Sequence, residues 1–169
     1  MIEDLTVEHQ RQYERYLTDG ATPDTIEWIR TPPNPPATAE AIHAAEQRIG
    51  KRLDRQLRQW PEHADGWEFV WGTTGLYSTA QLTTDSPARE TLIGLMDEFD
   101  VTADEIGVRS LDDLIVIGTD DSEQLFIVTT GCDDQCDSAP VWEIEGSYEK
   151  YPNLRTYLTT VARRLEEVD

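Results

Sequence analysis

The stretch LIVIGTDDSEQLFIVTT, residues 114–130, decides the reading of this chain. Two apolar runs rich in Ile, Val and Phe flank the turn-forming residues TDDS, which predicts an antiparallel hairpin. Downstream, PVWEIE (residues 140–145) has the composition of a third strand, and the short connections make a meander the economical topology. Upstream lies HADGWEFVWGTTGLYSTAQL, residues 63–82. There Trp67, Phe69 and Trp71 alternate with Glu68 and Val70, predicting a strand with its aromatics on one side and Trp67 and Trp71 in the core. Leu76 and Tyr77 begin a second short strand.

Around these strands the hydrophobic period changes to that of helices. Residues 3–18 bring Leu5, Tyr13, Tyr16 and Leu17 near one face, with Gly20 just past the end. A short apolar group, Ile26, Trp28 and Ile29, precedes TPPNPPA (31–37), whose four prolines favour an extended connector. Thr38 caps a helix carrying Ile42, Ala45, Ile49 and Leu53. Gly50 interrupts it, and Leu57 and Trp60 continue its apolar side up to Pro61. Residues 87–99 place Leu92, Leu95, Met96 and Phe99 on one face. A last helix over 153–168 carries Leu154, Leu158, Val161 and Leu165. The expected architecture is α+β, an antiparallel meander flanked by N-terminal and C-terminal helices.

The 169 residues suit one domain, and their charge excludes several functions. There are 34 acids against 14 bases, a formal net charge of −20. Direct binding to nucleic-acid phosphates needs a basic face, and attachment to anionic membranes needs the same. The acid is uneven: residues 1–86 hold 14 acids and 8 bases, residues 87–169 hold 20 and 6. Between Asp97 and Asp137 there are 13 acids and one base, Arg109. Such a surface invites a basic partner. The scarcity of lysine (Lys51 and Lys150) and the abundance of Asp, Glu and Thr fit equally a salt-adapted or GC-rich source, where the acid serves solvation.

The N-terminus lacks a basic region followed by an apolar core, and no apolar run approaches the length of a membrane helix, so a cytoplasmic protein is expected. In such a compartment Cys132 and Cys136, four apart in GCDDQCDS, are expected as two reduced thiols in a loop, with a disulfide stapling that loop as the alternative. A zinc site needs about four ligands, and His9, His43 and His63 lie far away in sequence. None of the three histidines has a recognisable catalytic partner. Nor is there a nucleophile elbow, a metalloprotease motif or a phosphate loop. The crowded carboxylates Asp120, Asp121, Glu123, Asp133, Asp134 and Asp137 lack the glycine and terminal glutamate of a calcium loop. No catalytic residue, metal or cofactor is expected. Trp67, Trp71, Tyr77 and Trp142 are candidates for a partner-facing groove, although alternating aromatics on strands more often form core.

Taken in order, PPATAEAIHAAEQRIGKRL, the aromatic strand segment, the 114–130 hairpin, PVWEIE and the closing helix resemble the SUKH superfamily, which includes the Smi/Knr fungal cell-wall regulators and many bacterial immunity proteins. Glu46 followed by Ile49-Gly50 and Leu53, then the Asp65-Gly66 turn leading into Trp67, carries most of the likeness. Asp54 stands where relatives usually have proline, and Asp65 where they often have asparagine. The resemblance covers residues 35–167. It implies a SUKH-like domain over 35–169, preceded by a variable helical extension, 1–34, packed on it. It also implies fold-defining roles for Glu46, Gly50, Gly66, Trp67 and Trp71, and a non-enzymatic protein-binding function, often neutralisation of a toxin. With the acid count, this gives an expected partner, a basic toxin domain, and an expected interface on Asp120, Asp121, Glu123, Asp133 and Asp134. A regulatory adaptor without a toxin is the alternative.

Overall fold

The computed structural model describes residues 1–132, 134 and 136–167. Among them are seven α-helices: α1 (Ile2–Thr18), α2 (Pro23–Ile26), α3 (Ala39–Ile49), α4 (Arg55–Gln59), α5 (Pro87–Glu98), α6 (Ala103–Ile106) and α7 (Leu154–Glu167). Six strands, β1 (Trp67–Trp71), β2 (Thr74–Leu76), β3 (Ile115–Thr119), β4 (Phe126–Thr129), β5 (Val141–Glu145) and β6 (Ser147–Tyr151), form one sheet in sequence order, each antiparallel to the next. The fold is the α+β meander expected, with one more strand after residue 113 than the apolar pattern indicated.

The central strands are buried on both faces, and their side chains divide into two cores by the period of two. Ile115 and Ile117 of β3, Ile127 of β4 and Val141 of β5 point to a core shared with Leu5 of α1, Ile42 and Ile49 of α3, Leu57 of α4 and Leu158 and Val161 of α7. Val116, Phe126, Val128 and Trp142 point the other way, onto Leu92 and Met96 of α5 and Ile106 of α6. A sheet with helices on both sides follows. The Trp142 indole N–H donates to the Ile106 carbonyl at 3.1 Å, and the Lys150 ammonium sits 4.8 Å from its ring centroid. The buried Trp thus has a hydrogen-bond acceptor and a cation on its face.

Residues 1–34 join this core. Leu5 has no exposed surface, and a small cluster of Tyr13, Ile26 and Ile29 lies beneath the end of α1. The connector 31–37 is non-helical, as its prolines require. Asn34 and Ala37 donate backbone hydrogen bonds to the carbonyls of Gly66 and Pro61, which seats the connector beside the turn before β1.

Four expectations need correction. Helix 38–60 is two helices: Gly50 ends α3 in the left-handed conformation (φ 66°), and Asp54 starts α4 by accepting from the amides of Gln56 and Leu57. The aromatic alternation in β1 fails because four steps from Trp67 to Trp71 face only two from Leu76 to Thr74. This bulge puts Val70 at a fully buried position and leaves Phe69 and Trp71 half-buried, so Trp71 borders the core while Trp67 (1 % exposed) fills it. Phe99 does not share the buried face of α5: the helix ends at Glu98, Asp100 takes φ 55°, and Phe99 is 68 % exposed. Finally, Cys132 and Cys136 are joined in a disulfide, Cα atoms 6.2 Å apart, where reduced thiols were expected. Cys132 exchanges both backbone hydrogen bonds with Arg52, and the Arg55 amide donates to the Cys136 carbonyl. The stapled loop is thereby fastened to the link between α3 and α4.

Candidate functional site

A concavity of about 1110 Å³ opens where α3 ends, α4 begins and the disulfide loop closes over them. Its position follows from the break at Gly50: had the helix continued, residues 50–54 would not form a wall. Eleven residues here, 48–58, hold five of the fourteen bases of the chain, Arg48, Lys51, Arg52, Arg55 and Arg58. Four of them line the groove. Arg48 turns away instead, donating to the Thr79 and Leu82 carbonyls.

At the floor sits Glu46, its side chain 11 % exposed. One carboxylate oxygen accepts from the Leu53 amide at 3.2 Å, and both accept from the Arg58 guanidinium at 2.9 Å. Glu46 therefore bridges α3, the link and α4. Asp54, 2 % exposed, is held above the usual carboxylate range by burial, opposed by amide donation from Leu57, Gln56 and Ala139. Its oxygens are engaged by backbone, so this perturbed carboxylate is a helix cap tied to the chain just past the disulfide loop. Lys51 pairs with Asp113 at 2.7 Å, and Arg109 donates to the same carboxylate. Hydrogen bonding from Arg109, and then from Lys51, pulls Asp113 down to about 2.

The acidic residues expected to form one interface lie apart. Asp120, Asp121 and Glu123 occupy the β3–β4 turn; Asp134 lies in the β4–β5 loop at the other end of β4, roughly 13 Å away for four residues of strand. Asp133 falls outside the described residues. Asp120 is committed to the turn: its carboxylate accepts from the amides of Gln124 (2.8 Å) and Leu125 (2.9 Å) and from the Ser122 hydroxyl. Partial burial pushes its pKa up, but those donors together pull it below the usual value. Glu123 has φ 52° and accepts from Thr91 of α5 at 3.4 Å. Asp121 and Asp134 are exposed.

Of the residues expected to define the fold, Gly66 has φ 89°, and a Cβ there would meet the Ser78 nitrogen at 2.7 Å. Its neighbour Asp65 accepts from the Thr79 hydroxyl at 3.0 Å. The indole N–H of Trp67 donates to the Thr31 carbonyl at 2.8 Å. His9, which carried no signal in sequence, is buried edge-on to Trp67, ring centroids 5.0 Å apart. His43 lines the groove with its Nδ1 4.0 Å from Glu46, and exposed His63 faces the Gln59 carbonyl. Sequence reasoning missed the basic groove and exposed Phe99. The run KRLDRQLR carries the groove in plain view, but it was read for helical period rather than charge.

Among the described residues no three His, Cys, Asp or Glu side chains gather to hold a metal ion, and no helix is long and apolar enough to cross a membrane. Among the described residues lining the groove, no nucleophile is paired with a base. What it offers is charge, hydrogen-bond donors and shape. No curated protein matches the sequence closely enough to count as a relative. Residues 36–160, most of the chain, match the model of the SMI1 / KNR4 family (SUKH-1), and with Glu46, Gly50, Gly66 and the six-stranded meander in place, the chain belongs to that family.

Proposed function

We propose that this protein is a non-enzymatic binding module of the immunity type, which binds and neutralises a cognate toxin with a basic surface, as a nuclease-type toxin has. The observation that carries the reading is the disposition of charge between residues 97 and 137. The one base of that segment, Arg109, is committed to Asp113, while Asp97, Glu98, Asp100, Asp121 and Asp134 are exposed. Carboxylates so placed attract a basic partner at long range and raise its association rate, with apolar contacts holding the complex once formed. The partner-facing carboxylates in this reading are Asp121 and Glu123 at the β3–β4 turn, with Asp120 shaping the turn, and Asp134 at the opposite end; Asp133, next to it in sequence, is included in the reading.

The test is co-purification with the product of the adjacent gene, followed by association kinetics across a salt series. Association is expected to slow steeply with salt. Alanine at Asp121 and Glu123 is expected to slow it a few-fold, with little change in dissociation. If alanine at all five turn positions leaves association unchanged, the interface lies elsewhere. If no toxin domain is encoded nearby and the native partner is a cellular protein, the adaptor role replaces immunity.

A further inference from the structure

The groove between α3, α4 and the disulfide loop reverses the sign of the rest of the molecule. In a chain of net charge −20, it is lined by Lys51, Arg52, Arg55 and Arg58 against Glu46 and Asp137. These charges are not equivalent. Arg58 and Glu46 neutralise each other in a two-oxygen contact, and Lys51 is paired with Asp113. Two guanidiniums are left, three residues apart. Arg52 has no side-chain hydrogen bond or ion pair among the described residues, because its fastening to the loop runs through its backbone. Arg55 is 73 % exposed and makes only a loose ion pair, 3.9 Å, with Asp137, itself 93 % exposed, which a bound carboxylate can displace.

We infer that this groove binds a carboxylate-bearing polypeptide segment of a partner, with the forks of Arg52 and Arg55 as its anchors. A guanidinium presents parallel N–H donors that match a carboxylate two-for-two, so a pair of exposed forks at the mouth of a groove selects for spaced Asp or Glu side chains. Shape argues against a small anion as occupant, because the groove is open to solvent along its length rather than an enclosed pocket. Field argues against nucleic acid, because a long polyanion reaching this groove would lie across the acidic remainder of the surface. A short acidic segment escapes that cost by ending where the cations end. Gly50 contributes to access, since nothing lies within 4 Å of where its side chain would be. The site requires no toxin and lies away from the β3–β4 turn, while the disulfide loop that closes it also carries Asp134 of the proposed interface.

The experiment is an NMR titration of the ¹⁵N-labelled full chain with a short Glu/Asp-repeat peptide at low salt. Shifts are expected at the amides of Gly50, Arg52, Leu53 and Arg55. Arg52→Ala combined with Arg55→Ala is expected to weaken binding about tenfold, the scale of two solvated ion pairs, while Asp121→Ala leaves it unchanged. The combined Arg52→Gln and Arg55→Gln variant keeps polar, hydrogen-bonding side chains without charge and must weaken binding likewise. The inference is overturned if the shifts map outside residues 43–58 and 136–137, or if the paired variants titrate like the parent. It also fails if inorganic tripolyphosphate or a single-stranded oligonucleotide binds as tightly as the peptide.

Discussion

Glu46 gives the sharpest test of how the groove is built. Replacing it with alanine removes the acceptor of the Leu53 amide and both acceptors of Arg58. Leu53 is 5 % exposed, so its amide would lose its partner in a buried setting, a cost of about 1–3 kcal/mol. The ion pair adds less than its geometry implies. Arg58 is 37 % exposed and can turn to water, which limits the pair to about 1 kcal/mol. The expected loss for Glu46→Ala is therefore about 2–3 kcal/mol, or roughly 5–10 °C in Tm for a chain of this size. Glu46→Gln keeps a carbonyl oxygen for Leu53 and loses mainly the charge, so about 1 kcal/mol is expected. Arg58→Met should cost at least as much as Glu46→Gln, because it leaves the more buried partner charged and unpaired. Urea unfolding of the three variants, with midpoints and slopes compared, provides the measurement. If glutamine destabilises as much as alanine, the carboxylate acts through charge rather than through the amide. If alanine costs less than about 0.5 kcal/mol, Glu46 is not a keystone of this region.

Asp120→Ala should cost about 1–2 kcal/mol, because two backbone amides and a hydroxyl lose their acceptor, whereas exposed Asp121→Ala should stay within about 0.5 kcal/mol in the same thermal melts. Burial holds the His9 imidazole below its ordinary value, the Val70 carbonyl pulling the other way, and its Nδ1 has no partner. The unfolded chain therefore takes up a proton that the folded one resists: stability should be full above pH 6.5 and fall as pH drops below it, and His9→Gln should flatten that slope in urea midpoints measured from pH 7.5 to 5.5. Asp113, depressed to about 2, behaves likewise at lower pH, its contribution present above about 4 and lost as pH falls toward 2. Reducing the disulfide opens a five-residue loop worth about 2 kcal/mol by chain entropy, so Tm should fall by roughly 4–8 °C in reductant and be insensitive to reductant in a Cys132→Ser, Cys136→Ser variant.

The legible parts of the fold were those in which burial wrote a period into the chain. Strands β3, β4 and β5 face two cores, so their buried positions are mostly apolar and the hairpin announces itself. β6 does not, since Ser147 to Lys150 are exposed and only Tyr151 is buried. An edge strand needs backbone partners rather than apolar side chains, and the turn at Gly146 (φ 61°) supplies the register by folding the chain back on β5. Its Glu149 and Lys150 belong to the charged residues that keep such edges from pairing with other chains. Phe99 misled because the period of α5 continues through it while the backbone does not. The groove was hidden for a related reason: Gly50 reads as a flaw in one helix until the left-handed turn shows it to be the end of it. Only then do Lys51, Arg52, Arg55 and Arg58 become neighbours around a cavity instead of the polar side of a rod.

The structure also changes what a charge of −20 means. Several of the 34 acids are consumed by the fold: Asp54 caps α4, Asp65 and Asp120 fix turns, Glu46 and Asp113 pair with cations, and Glu143 is bound by Arg164 at 2.8 Å. These would be present under any partner or any salt, and they carry no message about function. The acids free to meet a partner are the exposed ones, among them those at the end of α5 and in the strand connections. A purely environmental acidity would coat the surface without regard to topology. Here exposed acids such as Glu3, Asp24, Glu68 and Glu90 are spread over the surface as well, so the acid by itself fits such a coat; what a coat does not explain is the gathering of Arg52 and Arg55 at one groove. Separation of sign on that scale gives the molecule a direction from which a partner of mixed charge approaches favourably, which a uniform coat would not.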